Sequence, residues 1–196
     1  TYEKRRLFEN FKISSETMTM IDNNGMSMSL IGPYSEAGYK NIIFSPNQWN
    51  PLPSTIWKTD TTKNGYKWNS DAGGGGARID IRYASELPMV FFWEDENKNR
   101  LLVWGAPQYH NGCAAFGFFP NGNKPLQYIE DAMARQLSLL DQKYPYEVWL
   151  NVCYSDDQTP NMELTDIIKE WNSKWKWPKL RTLGNPDTPF DILREK

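Results

Sequence analysis

The spacing of apolar residues divides this chain into short strands and amphipathic helices. Leu7, Phe8 and Phe11 recur at helical spacing among charges, so Thr1 to Phe11 reads as the tail of a helix with no visible start. Thr17-Met-Thr-Met-Ile21 alternates as a short strand does and runs into the turn-forming Asp22-Asn-Asn-Gly25. From Ser27 to Ala37 the placing of Met28, Leu30, Ile31 and Tyr34 suits a helix, and Gly38 supplies its left-handed C-terminal residue. Asn41-Ile-Ile-Phe44 is then a short buried strand. Strand, turn, helix, strand is the βαβ unit of a parallel sheet.

Residues 45–86 lack periodicity and contain the run Gly73–Gly76, which predicts a long surface excursion. Met89-Val-Phe-Phe-Trp93 and Leu101-Leu-Val-Trp104 are apolar runs separated by polar Glu94–Arg100, a hairpin or two neighbouring strands. A second irregular stretch covers 105–124. Ile129, Met133, Leu137 and Leu140 mark an amphipathic helix, and Glu147–Tyr154 predicts a strand. Leu164, Ile167, Ile168, Trp171 and Trp175 share one face of a further helix. Lys179 to Leu183 is one more candidate strand, and Thr188-Pro-Phe-Asp191 has the N-cap, first-turn proline and early acid of a last helix. The alternation gives an α/β class with a mostly parallel sheet and no internal repeat. The opening helix fragment, and a start at Thr1 rather than Met, suggest a piece of a longer protein whose earlier βα units are missing.

The 196 residues suffice for one compact domain, or for part of a larger one, with a sizeable core. Twenty-two Lys+Arg against 24 Asp+Glu leave a net charge of −2, without the basic excess of a nucleic-acid binder. No apolar run approaches the roughly 20 residues needed to span a bilayer. Aromatics reach 14%, with 9 Trp, which suits sugar-stacking surfaces as well as cores; for any single Trp the core is the better expectation. One His and two Cys, without a CxxC or HExxH motif, fall short of a self-contained zinc site. Cys113 and Cys153 read as two buried thiols in preference to one disulfide.

Parallel sheets place function at the C-terminal ends of their strands. Three groups fall there: Asp22 after the first strand, Tyr109 and His110 after the Leu101–Trp104 strand, and Asp156 with Asp157 after the Glu147–Tyr154 strand. A carboxylate so placed can act as nucleophile, general base or metal ligand. For Asp22 the competing role is to hold its own turn; for Asp156 and Asp157 it is to cap the following helix. Gly73–Gly76 is followed by no Lys-Ser/Thr pair and reads as a flexible loop, not a phosphate cradle.

The segment Met20-Ile-Asp-Asn-Asn-Gly-Met-Ser27, then Leu30-Ile31 and Glu36-Ala-Gly-Tyr-Lys-Asn-Ile-Ile43, resembles the catalytic-Asp segment of glycoside hydrolase family 38, the α-mannosidases and their bacterial relatives. Tyr144-Pro-Tyr-Glu-Val, Ser155-Asp-Asp-Gln-Thr-Pro-Asn161, Glu170-Trp-Asn172 and Trp177-Pro-Lys-Leu180 are similar to that family's strand, Asp-rich turn, helix and final strand. Phe91-Phe-Trp-Glu-Asp through Trp104 is a third, weaker likeness. The resemblance implies the C-terminal part of a seven-stranded β/α barrel and a retaining glycosidase, with Asp22 as both nucleophile and zinc ligand. The other zinc ligands would lie before Thr1 and beyond Lys196, on flanking parts of the parent protein, so the isolated chain would not assemble the full site. The family's acid/base carboxylate should follow Trp104, where Gln108-Tyr-His-Asn-Gly112 offers none, which leaves His110 as the candidate proton donor. The family's Phe-Gly-His after the nucleophile reads Asn24-Gly25-Met26. Trp49, Tyr109 and Asp157 are candidates to contact the carbohydrate. The alternative is a non-catalytic carbohydrate-binding domain on a degenerate barrel, stacking sugars on Trp49, Trp57, Trp68 and Tyr109, or a purely structural domain.

Overall fold

A computed structural model describes residues 2–22, 27–45, 88–105, 112, 116–119, 122–139, 145–153 and 159–195. Its principal sheet has four strands: β1 (Thr17–Ile21), β2 (Asn41–Ser45), β3 (Val90–Glu94) and β4 (Arg100–Gly105), in the order β1-β2-β4-β3. β1 and β2 run parallel with Thr17 opposite Asn41, β2 and β4 run parallel with Asn41 opposite Leu102, and β3 returns antiparallel to β4. The expected mostly parallel α/β sheet and its hairpin are present. Among the described residues no helix is long and apolar enough to cross a membrane.

Alternation along β2 and β4 decides what covers each face. Ile42, Leu101 and Val103 pack with Ile31 and Tyr34 of helix α2 (Ile31–Glu36). Ile43, Leu102 and Trp104 point the other way, onto Phe190 and Leu193 of a last helix, Thr188–Arg194, and onto Tyr146, Val148 and Leu150. A third cluster joins helix α3 (Leu126–Leu139) to helix α4 (Leu164–Lys174) through Ile129, Met133 and Trp171. Trp149 packs against both this cluster and the sheet cluster, and its ring meets Phe116 edge-on at 5.6 Å. The last helix is α5.

Helix α1 (Tyr2–Phe11) is as expected. The single helix expected from Ser27 instead divides into a 3-10 turn, Met28–Leu30, and α2. Pro33 explains the break: inside a continuous helix its ring would clash and its missing N–H would leave a carbonyl unmet, whereas the first turn of α2 tolerates it. Gly38 takes φ +78°, as anticipated for the residue ending this segment. The β3–β4 turn is held by Asp95, which accepts from the N–H groups of Asn97 and Asn99 and from the Asn99 amide. The Asn99 side-chain bond is the main reason its carboxyl titrates below the ordinary aspartate range. Gly32 lies so close that a Cβ there would sit 3.0 Å from the Asp95 carboxylate.

Two expected strands are not strands. Residues 147–153 run without regular secondary structure; Val148, Leu150 and Val152 pack on the sheet cluster, and Trp149 among them reaches both that cluster and the helix cluster. A continuous apolar run fits such two-sided packing as well as it fits a buried strand, so periodicity could not separate the two. Residues 179–183 instead return along α4. The Trp171 indole donates to the Pro178 carbonyl at 2.7 Å, and Asn172 both donates to and accepts from the Leu180 backbone. Lys179 donates to the carbonyls of Asn172 and Trp175 and so closes the helix end. The described part of 105–124 contains a short ladder, β5 (Phe118–Phe119) with β6 (Gly122–Asn123). Gly112 donates to the Val152 carbonyl, and a Cβ on it would fall 1.9 Å from the Cys153 sulfur. Cys153 itself is exposed, against the expectation of a buried thiol; Cys113 lies outside the described residues.

The strand entries at the base of the sheet are tied to α5 by polar groups. Asp187 sits at the cap position, one residue before the expected Thr188, yet its carboxylate makes no cap bond. It accepts instead from the Thr17 hydroxyl at 2.6 Å, the Ser15 hydroxyl at 3.2 Å and the Glu16 N–H at 3.0 Å. Buried Asn41 donates to the Thr17 oxygen at 2.9 Å and accepts from the Arg194 guanidinium.

Replacing Asp187 by Ala strands these donors and is expected to lower the unfolding free energy by about 2–3 kcal/mol, with an unchanged m-value, in urea titration. A second expectation concerns Glu130 of α3, whose carboxylate accepts from Lys174 at 2.6 Å and from the Trp175 indole at 2.8 Å. Those two bonds, the lysine's first, hold its pKa below the ordinary glutamate range. Its contribution is therefore full above that range and is lost as pH falls through the lowered folded value. Stability measured against pH should lose part of its acid limb in Glu130→Gln.

Candidate functional site

The C-terminal ends of the three parallel strands form a row. Ile21 lies opposite Ser45, and Phe44 opposite Gly105, so Asp22, Ser45 and Gly105 stand side by side where the chain leaves the sheet. Asp22 is fixed there by its own N–H, which donates to the Ser45 carbonyl at 2.9 Å and extends the ladder one step beyond β1. Its backbone then turns left-handed, with φ +61°. Aspartate tolerates that region better than most residues, yet the conformation still costs energy relative to glycine. The result is an exposed side chain at the strand tip. Its carboxylate forms no hydrogen bond or ion pair with another described residue, so nothing described turns it inward to hold the sheet.

Just beneath this row are two buried polar atoms that sequence reasoning did not single out. The Ser45 hydroxyl, on a residue with 0% exposure, and the Trp104 indole N–H, on a residue with 1%, have no hydrogen-bond partner among the described residues. Both belong to the α5-facing side of the sheet, since Ile43 pairs with Trp104 and Ser45 follows two residues later. An unmet buried donor or acceptor costs about 1–3 kcal/mol. The sequence did carry one signal for Ser45: it is the polar residue that ends an otherwise apolar strand run.

His110, Tyr109, Trp49 and Asp157 lie outside the described residues, as do Asp156, Trp57, Trp68 and Gly73–Gly76. Among the described residues no group of three or more His, Cys, Asp or Glu gathers to hold a metal. A single exposed carboxylate is not a zinc site, so any zinc would need ligands from elsewhere in the protein. What Asp22 can do from its own position is attack an electrophilic carbon, accept a proton or bind a cation through oxygen.

Compared with protein-family models, curated proteins and solved structures, the chain matches none.

The backbone at Asp22 gives a test that needs no substrate. Asp22→Gly should keep stability within about 1 kcal/mol of the parent, whereas Asp22→Val, β-branched at a positive φ, should lose roughly 1–3 kcal/mol. Chemical denaturation of the two variants checks this.

Proposed function

We propose that this chain supplies part of the active site of a retaining glycoside hydrolase of the α-mannosidase-like kind, with Asp22 as its nucleophile. The observation that supports this reading is an exposed carboxylate on a left-handed residue at the C-terminal tip of a parallel strand. A sheet that ends in such a residue holds a reactive group still while leaving it open to a ligand. In the proposed reaction the Asp22 carboxylate attacks the anomeric carbon as the glycosidic bond breaks, giving a glycosyl ester on the enzyme. A separate acid protonates the departing oxygen, and water then cleaves the ester to restore Asp22. His110 is the candidate acid on this chain; Trp49, Tyr109 and Asp157 are candidates to contact the sugar.

The sheet would belong to a seven-stranded β/α barrel completed by other parts of the same protein. Zinc is part of the proposal with Asp22 as one ligand and the remaining ligands on those flanking parts. The metal would fix sugar hydroxyls; none of the proton or carbon chemistry assigned above passes through it.

The test uses the complete polypeptide that contains this chain, assayed on aryl α-mannosides. Asp22→Asn should lower kcat by about 10⁴-fold or more, as expected when a covalent nucleophile is removed. A fluorinated glycosyl fluoride should label the peptide carrying Asp22 in a mass-spectrometric digest. Undiminished turnover by Asp22→Asn, or a label on another carboxylate, would remove Asp22 from the role.

A further inference from the structure

We propose that helix α1 is a strap that opens as a unit, latched by the Lys4 ammonium and hinged at residues 12–14. The latch is explicit. Lys4 donates to the carbonyls of Ala37 at 3.2 Å and Gly38 at 2.8 Å, and its ammonium lies 4.1 Å from the centre of the Tyr39 ring. Those carbonyls close the C-terminal end of α2, where a cation is favoured. The receiving side is held in place, because Tyr39 packs edge-on against Tyr34 of α2 at 6.1 Å.

Little else among the described contacts holds the helix down. None of its residues is buried, and Phe8 and Phe11 are 52% and 67% exposed. Its other charged side chains pair within the helix, Arg5 with Glu9 and Arg6 with Glu3. Among the described residues its position is set by the few contacts it makes to the fold.

The hinge is equally well defined. Lys12 ends the helix by donating its N–H to the Phe8 carbonyl, and adopts φ +57°. Three residues later the chain is pinned again, since Ser15 and the Glu16 N–H both bond to Asp187. Motion of α1 therefore stops at Ser15 and does not load β1. Burial holds the Lys4 pKa below the ordinary lysine value, with Glu16 and Asp187 offsetting part of that effect and Lys40 adding to it.

Amide hydrogen exchange on the full chain, read by mass spectrometry, tests this. Lys4→Met should speed exchange of the α1 amides by about tenfold or more while β2 and β4 keep their protection. Lys4→Arg, which retains the charge, should stay within roughly threefold of the parent. Tyr39→Leu should fall between the two. The proposal is overturned if Lys4→Met leaves α1 protection unchanged, if the parent α1 is already unprotected, or if β2 and β4 accelerate by the same factor as α1.

Discussion

The fold depends on one carboxylate that reaches backwards along the chain. Asp187 stands at the entrance of the last helix, yet its oxygens serve residues 15–17 at the entrance of the first strand. Thr17 has a single hydroxyl proton, and the 2.6 Å approach to Asp187 commits that proton to the carboxylate. The threonine oxygen is then left to accept from Asn41, which fixes which way the asparagine amide faces. Its carbonyl side in turn receives Arg194. One chain of donors and acceptors therefore sets the pairing of β1 with β2 and seats α5 against them. A one-residue slip would break every member of it and turn Met18 and Met20 away from the cluster they join.

The two ends of the sheet differ in a physically meaningful way. At the base, the buried polar side chains find partners in one another. At the opposite end, the Ser45 hydroxyl and the Trp104 indole are buried without partners among the described residues, and Asp22 occupies a backbone conformation that few side chains adopt. Unmet polar groups and local strain lower stability where they occur and are sustained by well-made contacts elsewhere. The three parallel strands can divide their work in this manner because they all emerge on the same side.

Much of the architecture was legible in the residue pattern. The short apolar or alternating runs of β1 to β4, bounded by polar turns, and the one-sided apolar faces of α3 and α4 announced themselves. Residues 147–153 misled because they bury their side chains as a strand would, with Tyr146, Val148, Leu150 and Val152 on one cluster, yet are not a strand. The role of Asp187 was hidden for another reason: its partners are about 170 positions away, and nothing local separates a capping aspartate from one that bonds across the fold. At the site, the turn signal after β1 pointed to Asp22 but could not say whether its side chain held the turn or faced outward. Ser45 and Trp104 gave still less, because whether a hydroxyl or indole finds a partner depends on neighbours that sequence order does not reveal. Trp49, Tyr109, His110 and Asp157 rest on the sequence alone.

Gly112 has a practical bearing on how the protein can be handled. The Cys153 sulfur lies against a stretch of main chain that has no side chain to move aside, and the Gly112 N–H is already committed to the neighbouring Val152 carbonyl. Cys153 is exposed, so a label can leave toward solvent, but one that turns toward Gly112 meets main chain. Probes placed there sit beside a close backbone contact, and thiol conjugation should not be assumed to be silent.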